Sequence, residues 1–128
     1  MADEWKARPD RPVDVPLLRL ELSGQFERLK QESTWRTSGR NAITVAKAPG
    51  LRVVLLLLGR GATLSEHHAA GPLTFQVISG WVNFRAGGRV ERLGPGALIV
   101  LESAVAHDVE ALEESACVLT LGGSPQES

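Results

Sequence analysis

The sequence lacks a surplus of either charge sign. Lysine and arginine together number 14 and aspartate and glutamate 15, so the 128-residue chain has a formal net charge of −1. Proteins that bind nucleic acid or an anionic membrane need clustered cations to neutralise phosphates, and we therefore expect neither as a partner. The longest unbroken apolar run, residues 53–58, is far short of the ~20 residues that a membrane helix needs.

Cysteine is almost absent as well. Cys117 is the only one, so no intrachain disulfide can form. The first ten residues, "MADEWKARPD", lack the apolar segment of a signal peptide. Both features predict a cytoplasmic protein, and we expect Cys117, in the run "ACVLTL", to be an inert core thiol. No Ser-His-Asp order, phosphate-binding glycine loop or zinc-finger spacing is present in the sequence.

The chain divides into three segments. Residues 1–40 form an N-terminal arm and a short helix: residues 1–16 mix three prolines with seven charges, and Phe26 and Leu29 fall on one side of a predicted helix. Residues 41–122 consist of short β-rich runs broken by glycine and proline turns, and residues 123–128 are predicted to be disordered. A chain of this length fits one domain.

The β-rich segment predicts an all-β fold. Short strands at nearly even spacing, with little helix, are typical of an antiparallel sandwich or small barrel. The run "RVVLLLLG" is apolar at successive positions instead of alternating, which predicts that both faces of this strand are covered. We expect a partner subunit to supply the second cover, and hence a homodimer.

Two adjacent histidines lie in the stretch "GATLSEHHAAGPLTFQVISG", residues 61–80. Neighbours on a strand point to opposite faces, so only one of His67 and His68 is expected to face the interior unless a bulge intervenes. His107 lies 40 residues beyond His67, which is far enough for the two to meet across several hairpins. Two histidines are fewer than the three or four protein ligands of a typical transition-metal site.

The spacing of these residues resembles the two motifs of the cupin superfamily. Gly61, five residues, His67 and then Gly80 follow the first motif, G-x5-H-x-H-x(3,4)-E-x6-G, and Gly96 followed eleven positions later by His107 follows the second, G-x5-P-x-G-x2-H-x3-N. Over residues 20–121 the chain is similar to small single-domain bacterial cupins with little assigned function. The resemblance implies a jelly-roll-like barrel, or double-stranded β-helix, and supports the homodimer.

Several positions depart from the family pattern. Ala69 stands where the first motif has its second histidine, and Leu73 where it has glutamate. Of the four metal-ligand positions that the resemblance implies, only His67 and His107 remain. In the second motif Glu102, Ala104 and Ala111 replace the proline, the second glycine and the asparagine.

The site can be completed in several ways. His68 would turn inward through a bulge, Gln76 would add an amide oxygen, or Glu66 or Glu102 would reach the mouth of the barrel. Any of these would hold a divalent transition metal such as iron, manganese, nickel or zinc. Otherwise the two matching histidines only line a pocket. The predicted pocket-lining residues are His67, Leu73, Phe75, Gln76 and His107.

Three functions are compatible with these residues. In the first, the protein is a single-domain cupin of unassigned activity that binds a small molecule in the barrel beside an incomplete metal site. In the second, it is a metal-dependent enzyme, a dioxygenase or isomerase, that uses His67 and His107. In the third, the barrel is filled by side chains and the protein is a structural dimerisation module. One fold hosts many chemistries, so the sequence does not name a substrate.

Overall fold

The computed structural model describes residues 13–67 and 70–123, which form two antiparallel sheets and two helices. The helices are α1 (Leu22–Gln31) and α2 (Ser33–Ser38). The strands are β1 (Arg40–Ala48), β2 (Leu51–Leu58), β3 (Thr63–His67), β4 (Leu73–Ser79), β5 (Val82–Ala86), β6 (Arg89–Leu93), β7 (Leu98–Leu101), β8 (His107–Ala111) and β9 (Ser115–Gly122). The arm predicted at residues 1–12 and the tail at 124–128 lie outside the described residues, as do His68 and Ala69.

The two sheets pack face to face as a sandwich. One has the strand order β1-β2-β9-β4-β7 and the other β3-β8-β5-β6. Short connections at one end stack β2 on β3, β4 on β5, β7 on β6 and β9 on β8. The predicted all-β, jelly-roll-like class is confirmed, although the sheets do not close into one continuous barrel. We call the opposite end, where residues 70–72 and 102–106 lie, the mouth.

An inner core fills the space between the sheets. Alternate residues of each strand point into it, as the period-2 geometry of a strand requires. Leu73, Phe75 and Val77 of β4 are buried there, as predicted for Leu73 and Phe75. The Phe75 ring packs against Phe84 of β5, with 5.1 Å between ring centroids and 55° between ring planes, an arrangement within the preferred range for aromatic pairs.

The outer face of the five-stranded sheet carries a second core under α1. Leu55 and Leu57 of β2 point to this side and pack with Phe26 and Leu29 of α1. Strand β2 is therefore buried on both faces, as its composition predicts. The prediction that a partner subunit covers the second face of β2 is wrong, however. Helix α1 of the same chain covers that face.

The remaining sequence predictions about the core concern Cys117 and the helices. Cys117 is fully buried, and burial raises the pKa of its thiol to about 12, in agreement with an inert core residue. Helical structure continues after α1 into α2, where Trp35 packs against the outer core. Within the described part of the chain, neither helix has the length and apolarity to cross a membrane.

A substitution at Gly80, in the tight connection between β4 and β5, tests how closely this connection approaches the start of β9. Its φ is +90°, and a Cβ added there would overlap the Ser115 hydroxyl and the Glu114 carbonyl. We expect Gly80→Ala to lower the free energy of unfolding by about 3 kcal/mol or more, since left-handed strain and overpacking add. Urea unfolding of the purified variant measures this loss.

Gly87 provides the matched control. Its φ is also positive, at +57°, but no atom lies within 4 Å of an added Cβ. Gly87→Ala should therefore cost only the backbone strain, about 1–2 kcal/mol. Equal losses in the two variants would contradict the close approach of β9 to the β4–β5 turn.

Candidate functional site

His107 is the best-defined polar residue at the mouth. It begins β8, and His107, Val109 and Ala111 are buried at alternate positions, so its side chain points between the sheets. The ring lies parallel to Phe84, with 5.7 Å between centroids and 4° between planes. Nδ1 lies 3.1 Å from the Val105 carbonyl oxygen and donates a hydrogen bond to it. That bond selects the tautomer in which the neutral ring has its lone pair on Nε2.

The register of β3 and β8 brings His67 opposite His107. Leu64 pairs with Val109, and His67 pairs with His107 after a bulge. Without the extra residue, Glu66 would occupy the position opposite His107, because a one-residue shift exchanges the two faces of a strand. The structure thus brings the two matching histidine positions together at the mouth.

The rest of the donor set does not fit a complete metal site. Leu73, at the glutamate position of the motif, is 4% exposed and belongs to the inner core. Glu102 is exposed on the connection that follows β7. Among residues 13–65 and 70–123, no group of three histidine, cysteine or acidic side chains is placed to hold a metal ion.

Gln76 is not brought together with His107. It is half-buried on β4 and alternates with Leu73, Phe75 and Val77, which all face the inner core. Residues one apart on a strand face opposite sides of the sheet, so Gln76 lies on the outer face. The prediction that one pocket contains Gln76 together with Leu73 and Phe75 therefore fails on strand alternation.

A cleft of about 570 Å³ opens where the edge strands β6 and β7 meet. Its walls are mostly apolar. Phe84 lines the cleft, and its ring also stacks on His107, so the cleft adjoins the histidine pair. An ion pair between Arg89 and Glu91 lies at its rim. The lining residues used below are Phe84, Leu93, Ile99, Leu101 and Val105.

Sequence reasoning missed this cleft. Its lining comes from β6, β7 and the following connection, and neither strand carries a histidine or another residue that marks a site. The only available signal was the alternation of Ile99 and Leu101, which is typical of any half-buried strand. The opening depends on how far two edge strands separate, and local sequence does not encode that distance.

The connection before His107 contains a strained residue. Ala104 has a φ of +66° and is the only non-glycine residue with positive φ in the described ranges. It occupies the position of the second glycine of the second motif. Residues with a Cβ reach the left-handed region only at a cost of about 1–2 kcal/mol. This chain thus keeps the left-handed backbone conformation that favours glycine, although alanine occupies the position.

Solved structures share this architecture. A cupin superfamily protein from Desulfitobacterium hafniense has a TM-score of 0.64 and 12% identity, over 66% of this chain and 78% of its own. KdgF from Halomonas sp. has a TM-score of 0.63 and 28% identity, over 69% and 82%. A salicylate 1,2-dioxygenase from Pseudoaminobacter salicylatoxidans, studied as adducts with gentisate, has a TM-score of 0.73 and 18% identity, over 80% of this chain but only 32% of its own.

No protein-family model matches the chain, and no curated protein matches it significantly. The class is nevertheless defined by the two antiparallel sheets, their strand order and the paired positions at the mouth. The protein is a small all-β sandwich of the jelly-roll type. Its fold is the cupin fold, as the sequence motifs predict.

The backbone strain at Ala104 predicts how substitutions in this connection change the free energy of unfolding. Ala104→Gly should raise the free energy of unfolding by about 1 kcal/mol, because relief of the left-handed strain exceeds the added flexibility of the unfolded chain. A rise in melting temperature of about 4 °C is expected. Ala106→Gly, in the same connection at a residue without positive φ, should instead destabilise. A loss of stability in both variants would contradict the strain.

Proposed function

We propose that the protein binds a small organic molecule in the cleft between β6 and β7. The cleft itself carries the proposal: its volume of about 570 Å³ lies within the range of about 300–1,000 Å³ typical of ligand sites. Its lining combines apolar side chains with a few charged groups, the usual composition of such sites. The aromatic contact between Phe84 and His107 would couple an occupant of the cleft to the histidine pair.

The incomplete donor set favours binding without a metal. Leu73 has no atom that can coordinate, and its burial in the inner core shows that this position serves packing. A metal held by His67 and His107 alone would lack the three or four protein ligands of a stable site. We therefore assign no reaction to the protein.

A metal-dependent activity is the second candidate, and one observation favours it. The bulge in β3 places His67 opposite His107, and the hydrogen bond from Nδ1 to the Val105 carbonyl is the kind of outer contact that orients a metal-ligating histidine. A divalent transition metal on this pair would polarise a bound oxygen group. The protein would then be an enzyme such as a dioxygenase or isomerase.

A ligand screen on chelator-treated protein tests the first candidate. Members of a library of small organic molecules should raise the melting temperature, because a ligand that binds only the folded state stabilises it by about 2.7 kcal/mol at a hundredfold excess over Kd. Val105→Trp should abolish the shift by filling the cleft. Val15→Trp, on the exposed segment before α1, adds the same side chain elsewhere and should leave it unchanged.

Three results would contradict the binding proposal. Equal ligand shifts in wild type and Val105→Trp would place binding outside the cleft. Shifts that require added iron, manganese, nickel or zinc, and vanish in His107→Gln, would favour the metal-dependent enzyme. No shift under any condition would favour a structural dimerisation module.

We also propose a homodimer through the uncovered part of the five-stranded sheet. Ile78, Leu98 and Val100 are 40%, 55% and 73% exposed on its outer face, beside the part that α1 covers. Leu98 and Val100 belong to β7, the edge strand of that sheet. A second copy fits because antiparallel pairing of two β7 edges about a two-fold axis would be self-complementary and would bury both apolar sets.

Light scattering after size exclusion tests the dimer. The wild type should have twice the 13.8 kDa mass of the chain, and Val100→Glu should reduce it to one chain, because the interface would bury two unpaired charges. Val90→Glu, at a residue 60% exposed on the other sheet, should remain dimeric. A monomeric wild type would refute the assembly. The cytoplasmic location remains a prediction from the sequence.

A further inference from the structure

Strand β7 is both a wall of the cleft and the edge of its sheet. All of its residues, Leu98–Leu101, line the cleft. Their side chains alternate, because Ile99 and Leu101 pack against the inner core whereas Leu98 and Val100 are exposed on the outer face. A cleft that is lined from both faces of a strand follows the backbone edge of that strand. The cleft therefore opens along the edge at which we propose that a second copy pairs.

The backbone groups on this edge follow from the pairing of β7 with β4. The Ala97 carbonyl oxygen accepts a hydrogen bond from the Val77 N–H of β4. The N–H and C=O of one strand residue point to the same side, and those of the next residue point to the other side. The groups of Ile99, like those of Ala97, therefore point toward β4. Those of Leu98 and Val100 point toward the edge, where another strand can pair with them.

Two identical edge strands that pair antiparallel are related by a two-fold axis perpendicular to the sheet. Rotation about this axis reverses the strand direction and leaves the inner face on the same side of the sheet. The four-stranded sheets of both subunits, each with β6 at its edge, would then lie on one side of the extended sheet. The two copies of β7 would be about 4.8 Å apart. The two clefts would open into one another, between β6 and β7 of both subunits.

The side chains of β7 favour one register of this pair. Directly opposite residues share one face, and with the axis at Ile99 each Leu98 lies opposite Val100 of the partner subunit. This register pairs the exposed apolar residues of β7, and each such pair exchanges two backbone hydrogen bonds. With the axis at Val100, Leu98 would face the partner's Glu102. With the axis at Leu98, Val100 would face the partner's Gly96, which has no side chain.

The charges of the cleft are compatible with this register. Arg89 and Glu91 form an ion pair, so together they add no net charge to the rim. Glu102 is the third charged residue that lines the cleft, and it lies three residues after Ile99. With the axis at Ile99, the two copies of Glu102 are offset by six residues along the strand direction, about 20 Å. Salt screens the repulsion between exposed charges at that distance.

A single chain leaves one side of the cleft open. Ligand sites bury about 70–90% of the surface of a small molecule, and an occupant of a cleft along a strand edge keeps one side in water. The partner's β7 would cover that side. Ile99, which is half-buried in one chain, would meet its own copy at the wall of the joined clefts.

We infer that the partner subunit forms one wall of the ligand cavity, so that the ligand and the second copy bind cooperatively. The inference rests on the proposed function, because it joins the cleft and the dimer that are proposed there. Coupling between two binding events is reciprocal. A ligand that fills the joined cavity therefore strengthens the dimer by the factor by which dimerisation strengthens ligand binding.

Fluorescence titration with Nile red, a neutral apolar dye, tests the coupling. The dimeric wild type should bind the dye at least about tenfold more tightly than Val100→Glu, the variant that is expected to be monomeric. Val15→Glu makes the same type of change on the exposed segment before α1 and should bind like the wild type. In sedimentation equilibrium, saturating dye should lower the dissociation constant of the wild-type dimer by a similar factor, and this measurement needs no substitution in the cleft.

Cysteine cross-linking tests the register without a ligand. In Ile99→Cys the two thiols occupy a directly opposite pair with Cα atoms about 4.5 Å apart, within the range of a disulfide, so mild oxidation should give a covalent dimer. In Val100→Cys the two copies are offset by two residues, about 9 Å, which is too far for a disulfide. The native Cys117 is fully buried and should not react. Equal cross-linking of the two variants would overturn the register and the shared wall.

The remaining outcomes also decide the inference. Equal dye affinity in a dimeric wild type and in Val100→Glu would overturn the coupling, while the cleft and the dimer would stand as separate features. Tighter binding by Val100→Glu would show that the partner blocks the cleft. A monomeric wild type, or a dimer that binds no dye, would overturn the shared cavity. The loss of ligand shifts in Val105→Trp is measured independently, so ligand binding in the cleft can survive each of these results.

Discussion

The burial of β2 on both faces is the constraint on which the rest of the structure depends. Val54 and Leu56 point into the inner core, and Leu55 and Leu57 point to the helix side. Each such side chain contributes about 1.5–3 kcal/mol on full burial. A one-residue slip of β2 would exchange these two sets and would move Arg52 from the inner face of the sheet to the outer face.

Local irregularity, in contrast to this regular strand, determines the site. One extra residue in β3 decides that His67 and not Glu66 is paired with His107. One residue with positive φ, Ala104, bends the connection that presents the Val105 carbonyl to the His107 ring. Bulges and strained residues are common beside functional sites. The mouth has both, whereas the opposite end of the sandwich consists of short turns.

The sequence predicts the fold class, the two matching histidine positions and the inner packing of Leu73 and Phe75, because strand alternation and motif spacing are local patterns. Alternation also predicts that Gln76 faces away from them, so the hypothesis that Gln76 replaces a missing metal ligand in the same pocket conflicts with strand geometry. The helix cover on β2 and the cleft beside Phe84 depend on tertiary packing. Residue order gives no distance between two strands that come from different parts of the chain.

Ala69 and Leu73 stand at two of the four positions that hold a metal in the cupin motif, so a ligand of this protein would depend less on coordination and more on contacts with side chains. With Leu73 in place of a carboxylate, His67 and His107 offer an ion fewer protein ligands than the three or four of a typical stable site. Apolar burial in the cleft, as proposed above, needs no such ligand set. The strands that line the cleft belong to the two sheets that the inner core holds together, so the binding that we propose depends on packing and not on metal ligands.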